Sequence, residues 1–105
     1  MFLILALVYS GQDEIIRGIK KAFSLWVDIS TLDEKSFRQF LDTASFPPVD
    51  LIIRTWWDIR HSWYLLYDSA YSEYAFTSTL FPDFSKEEFE KILEKFWHTE
   101  RRFGK

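Results

Sequence analysis

With 105 residues, 48% hydrophobic and 28% charged, the chain has the composition of one globular domain over 1–105 rather than of a disordered segment. It contains no cysteine, which excludes a disulfide scaffold, a zinc–thiolate site and a thiol nucleophile, and suits a reducing, cytoplasmic setting. A net charge of −3 argues against a surface that tracks nucleic-acid phosphates, because such binding scales with the number of Lys and Arg contacts.

The opening MFLILALVYS carries an apolar run from Phe2 to Tyr9. No basic residue precedes it, and it falls far short of the roughly 20 apolar residues of a membrane span, so it reads as core and not as a targeting or membrane segment. A buried strand and a buried helix look alike over 2–9. Leu and Ala favour the helix, whereas shortness and the following Ser10-Gly11 favour a strand.

Residues 12–27 form the first clear helix. Ile15, Ile16, Ile19, Ala22, Phe23, Trp26 and Val27 recur at steps of three and four. Asp13 and Glu14 fall in the first turn, where carboxylates complement the dipole, and Ser10 stands at the N-cap. A second helix is predicted from the capping box TLDE, in which Thr31 accepts from the Glu34 amide. Leu32, Phe37, Phe40, Leu41 and Ala44 line it, and Pro47-Pro48 stops it near Ser45. The stretch 22–41 resembles an EF-hand in outline. Aligned on Leu32, however, its first and last ligand positions hold Leu25 and Ser36 and its glycine position holds Ser30, so the oxygens around calcium are missing and no family is implied.

The segment RTWWDIRHSWYLLYDSAYSEY, 54–74, holds three of five tryptophans and four of five tyrosines. Read as part of one helix over 49–75, Val49, Ile52, Ile53, Trp56, Ile59, Trp63, Leu66, Tyr67, Ala70 and Tyr74 form a core stripe. Trp57, Tyr64 and Tyr71 then make a second line, seven residues apart, with His61 and Leu65 beside them. Either other helices of the bundle cover that line, or a partner or second copy does. The competing reading makes WYLLY and EYAFTSTLF the strands of a hairpin turning near 68–70. The last helix starts at the capping box SKEE, 85–88, buries Phe89, Ile92, Leu93, Phe96 and Trp97, and ends before Gly104.

Chemistry leaves little trace. Asp58 with His61, and Glu94 with His98, have helical metal-ligand spacing, but charge-rich helices produce such pairs often. No strained Ser turn, Gly-rich phosphate loop or P-loop lysine is present. The sequence therefore predicts no catalytic residue, no metal and no cofactor. The fold expected is mostly α, a compact bundle of four or five helices, with α+β as the alternative, 2–9 being a strand paired to a hairpin within 63–81. The function expected is non-enzymatic: a small acidic protein-binding module that masks a partner by steric occlusion, as an immunity protein masks a basic toxin or nuclease, or as a phage-type inhibitor does. Its contact would use Trp57, Asp58, His61, Tyr64, Leu65, Asp68 and Tyr71, aromatic anchors rimmed by carboxylates. The alternative is a structural homo-oligomer, a homodimer or larger, joined through the second aromatic face. Neither nucleic acid nor membrane is expected as a partner.

Overall fold

A computed structural model describes residues 3–105. They form three α-helices and a two-stranded parallel sheet, in the order α1 (Gly11–Ser24), α2 (Glu34–Phe37), β1 (Leu51–Arg54), β2 (Glu73–Phe76) and α3 (Lys86–Trp97), with 3-10 turns at Ile29–Thr31, Arg38–Phe40 and Phe81–Asp83. The chain clusters into two compact units, Met1–Pro48 with Ser62–Asp68, and Val49–His61 with Ser69–Lys105.

In the first unit α1 forms where its periodicity predicts, but the stripe it buries is a different one. Gly11, Glu14, Gly18 and Ala22 are buried, whereas Ile16, Ile19 and Phe23 stay in the open. Small residues let the backbone come close. A Cβ on Gly18 would sit 3.1–3.4 Å from Phe37, Leu41 and the Phe40 carbonyl, and one on Gly11 only 2.2 Å from the Trp63 carbonyl, which accepts the Gly11 amide at 2.8 Å. Burial of Glu14 is compensated because its carboxylate accepts from the Tyr9 hydroxyl at 2.5 Å and from the Asp42 amide at 3.1 Å. Residues 3–9, expected to be a buried strand or helix, have no regular structure, and Leu3, Leu5, Leu7 and Val8 are exposed rather than core; Phe2 lies outside the described residues.

The predicted second helix is cut to a single turn. Asp33, not Thr31, is the N-cap, and it forms the reciprocal box with Ser36. Thr31 instead closes a 3-10 turn capped by Asp28. Past Phe40 the chain turns, and the carbonyls of Thr43 and Phe46 accept from the Arg38 guanidinium at 3.2 and 2.6 Å. Pro47 and Pro48 have no amide hydrogen to offer them.

The second unit overturns the helical reading of 49–75, and with it the mostly α bundle of four or five helices. Leu51–Arg54 and Glu73–Phe76 are parallel strands in the register Leu51↔Glu73 to Arg54↔Phe76. β-Branched Ile52 and Ile53 suit a pleated surface better than a helix. Continuation as a helix is also prevented after β1, where Trp56 takes φ +84°. Further on, Ser62, Trp63 and Leu65 have φ between +47° and +62°. The hairpin alternative falls as well, because the strands run parallel and EYAF pairs with LIIR, not with WYLLY.

α3 starts where predicted, but the face expected to be buried is only partly covered: Ile92, Leu93 and Phe96 are half-buried, whereas Phe89 and Trp97 are exposed. Ser85 caps it, accepting from the Glu88 amide at 3.1 Å, Glu87 and Glu88 occupy the first turn, and Lys95 the last. Among the described residues no helix is long and apolar enough to cross a membrane.

Candidate functional site

Parallel strands direct ligands to their carboxyl ends, where the loops leave the sheet. Here those ends are Arg54 and Phe76, paired in register. Two segments continue from them side by side. The Thr77 amide donates to the Arg54 carbonyl at 3.0 Å, and the Trp56 amide donates to the Thr79 carbonyl at 3.1 Å.

Arg54 is half-buried, and its Nε is enclosed without a hydrogen-bond partner among the described residues. A buried guanidinium N–H left unpaired costs about 1–3 kcal/mol or more, so a group that can accept from it gains that much on arrival. The next residues bring an exposed edge-to-face pair, Trp56 and Trp57, with ring centroids 5.0 Å apart. Arg60 follows, largely exposed and loosely paired with Asp58 at 3.3 Å. His61 closes the loop, its Nε2 2.9 Å from the Ser69 hydroxyl, its ring 6.0 Å from that of Tyr74, and its Nδ1 buried without a partner. The strand end and the loop after it thus supply two guanidinium groups, Arg54 and Arg60, and two exposed indoles from one short segment. That chemistry suits an anion joined to a greasy body.

The seven residues singled out from sequence do not form one line. Trp57, Asp58 and His61 lie in the loop after β1, and Tyr71 stands against Phe103 with centroids 5.9 Å apart. Tyr64, Leu65 and Asp68 belong to the other unit. There Tyr64 meets the edge of Tyr9, and Asp68, far from rimming an exposed contact, is 6% exposed and held by Arg38 at 2.6 Å. Each histidine meets another partner through one ring nitrogen: His61 Nε2 lies 2.9 Å from the Ser69 hydroxyl, and His98 Nδ1 lies 2.7 Å from the Glu94 backbone carbonyl. Among the described residues no three His, Asp or Glu side chains gather as metal ligands would. Sequence reasoning missed Arg54. The signal that would have found it is its place at the end of the run VDLIIR.

Comparison with known proteins corrects the functional expectation. Residues 1–104 match the prenyltransferase family described as "Putative undecaprenyl diphosphate synthase". An isoprenyl transferase of Aquifex aeolicus is 47% identical over the whole chain, which spans 45% of that relative's length. The crystal structure of a probable undecaprenyl diphosphate synthase from Campylobacter jejuni superposes with a TM-score of 0.86 at 39% identity, over 96% of this chain and 46% of that one. Lavandulyl diphosphate synthase of Lavandula x intermedia, solved with dimethylallyl diphosphate, gives a TM-score of 0.88 at 30% identity, over 97% and 46%. These relatives are enzymes named for isoprenoid chemistry. They overturn the reading of a non-enzymatic inhibitor or immunity protein with a toxin or nuclease as partner, and that of a structural scaffold. Size and acidity, on which that reading stood, do not separate a binding module from part of an enzyme. Agreement along nearly the entire sequence, in profile and in three dimensions alike, makes this chain a member of the undecaprenyl diphosphate synthase family of prenyltransferases.

Proposed function

We propose that the chain supplies the diphosphate-holding part of an isoprenyl transferase, and that the loop leaving β1 receives the diphosphate of an isoprenoid substrate. The unpartnered Nε of Arg54 at the carboxyl end of a parallel strand carries this reading. A diphosphate oxygen there would accept from a donor that nothing among the described residues satisfies. Arg60, exposed two residues past Asp58, would add a second charge-assisted contact. Transfer of a prenyl group from a diphosphate leaves that diphosphate as an anion. Guanidinium groups fixed beside the departing oxygens stabilise the charge as it develops. Trp56 and Trp57 offer the prenyl body an apolar surface, which assigns Trp57 to this ligand and not to a protein contact. It keeps the chain in the cytoplasm, in accord with its cysteine-free composition.

Titration with inorganic pyrophosphate tests the reading. The Arg54 side-chain Nε–Hε resonance is expected to shift on binding, and Arg54→Met to weaken affinity on the order of tenfold or more. An unchanged resonance, or equal affinity in the variant, would remove Arg54 from the site.

A further inference from the structure

Glu88 stands at the third position of α3, where its amide is capped by Ser85 at 3.1 Å. In a reciprocal capping box its carboxylate would turn back to the Ser85 amide. It reaches two threonines instead. The Thr77 hydroxyl donates to Oε1, and the Thr79 hydroxyl donates to the same oxygen at 3.1 Å. The Thr79 amide in turn donates to the Thr77 hydroxyl at 3.2 Å, closing a small ring of bonds. Each threonine grips the β1 loop through its backbone, Thr77 at the Arg54 carbonyl and Thr79 at the Trp56 amide. The carboxylate therefore holds both neighbours of Thr55, one being the unsatisfied arginine and the other the tryptophan at φ +84°. A left-handed tryptophan is unfavourable and persists only where its surroundings hold it.

We propose that Glu88 is a positioning residue for the β1 loop, fixing Arg54 and Trp56 for the diphosphate by way of Thr77 and Thr79. The ligand half of this statement rests on the diphosphate reading above; the loop half does not. A bland alternative exists: Glu88 could serve only as a negative charge at a helix N-terminus, as Glu87 does beside it. The two roles respond differently to substitution. Glu88→Gln removes the charge but keeps one oxygen able to accept both hydroxyls. Glu88→Ala removes both. Glu87→Ala removes a first-turn charge that makes no bond to the loop.

Two quantities are measured in the full chain: hydrogen exchange of the Trp56 amide without ligand, and pyrophosphate affinity. Positioning predicts faster Trp56 exchange and about tenfold weaker pyrophosphate binding in Glu88→Ala, with recovery of most of both in Glu88→Gln and no change in Glu87→Ala. The double variant Thr77→Val/Thr79→Val should reproduce Glu88→Ala with the carboxylate intact, which keeps the test open if Glu88→Ala does not fold. Unchanged Trp56 exchange in Glu88→Ala and in the threonine variant overturns the proposal. Equal loss in Glu88→Gln, Glu88→Ala and Glu87→Ala also overturns it, in favour of the dipole role. If exchange responds as stated but wild-type protein ignores pyrophosphate, the diphosphate reading fails and the loop-holding role stands. If wild type binds and the Glu88→Ala and threonine variants bind equally well, the role in ligand positioning fails.

Discussion

Arg38 and Arg54 are both half-buried arginines, and they are treated in opposite ways. Arg38 donates to Asp68 from Nε at 2.6 Å and from Nη2 at 3.2 Å, and to the carbonyls of Thr43 and Phe46. Asp68 is further bonded by the Thr43 hydroxyl. Every element of that cluster has a purpose inside its own unit, which is to close the turn before Pro47-Pro48. Arg54 keeps an enclosed Nε with nothing to donate to. A saturated guanidinium holds a fold together. An unsaturated one, at a strand end where the loops open, is the donor that the proposed diphosphate would engage.

The strongest way to break this comparison is at the saturated end. Asp68→Ala should cost about 3–5 kcal/mol in denaturant unfolding, because it strands the Arg38 charge in a buried site. Replacing both partners with apolar side chains, as in Arg38→Met/Asp68→Leu, should recover much of that loss. If Asp68→Ala is harmless, Arg38 is no more structural than Arg54. At the unsaturated end the expectation inverts. Arg54→Met should leave the unfolding free energy within about 0.5 kcal/mol or raise it, since no internal bond of Nε is lost, while pyrophosphate binding falls. A large loss of stability in that variant would make Arg54 a scaffold residue. Trp56→Gly sharpens the same contrast. Relief of the left-handed backbone favours the variant by about 1–2 kcal/mol, partly offset by glycine's greater chain entropy, and the indole is already 47% exposed. Loss of the covered half of the indole offsets what remains, so stability within about 1 kcal/mol of wild type with weaker binding of a prenyl diphosphate would mark strain retained for function.

Arg17 sets the lower bound. It is forked between Asp13 and Asp42 at 2.7 Å, and all three side chains are about half exposed. The Arg17 hydrogen bond holds the Asp42 carboxyl below the usual carboxylate range. A lowered folded value means the pair stabilises above the unfolded value of about 4 and is lost as pH falls through the folded one. Screening keeps the effect small, so Asp42→Asn should cost about 0.5 kcal/mol at pH 7 and progressively less as pH falls below about 4, by urea unfolding across that range. Tyr9 runs the other way. Burial and then its bond to Glu14 push the phenol far above its usual range, so its contribution is present below about pH 10 and declines as pH rises beyond.

What was legible in the sequence was local. α1 and α3 follow from apolar periodicity, first-turn carboxylates and, for α3, the Ser85 cap, all of which act within one or two turns. The stop at Pro47-Pro48 follows from missing amides. The face α1 buries was misread, because hydrophobic count favours the isoleucines while close packing selects Gly11, Gly18 and Ala22. The candidate site was half visible: Trp57, Asp58 and His61 were named, but as part of a helical line, and Arg54 was passed over. The seven-residue spacing of Trp57, Tyr64 and Tyr71 is what a chain with 20% aromatic residues offers readily, and it carried no helix.

By itself, the sequence determined which short segments coil, where they are capped and where they must end, because those are contests between neighbours. Only the tertiary structure decided that LIIR would find EYAF across a stretch of 18 residues, in parallel and in a register that brings Arg54 level with Phe76. Strand pairing satisfies backbone groups between distant segments, and neither strand carries a mark of its partner. Arg54 gained its meaning only there, at a shared strand end with its Nε enclosed and no acceptor within reach.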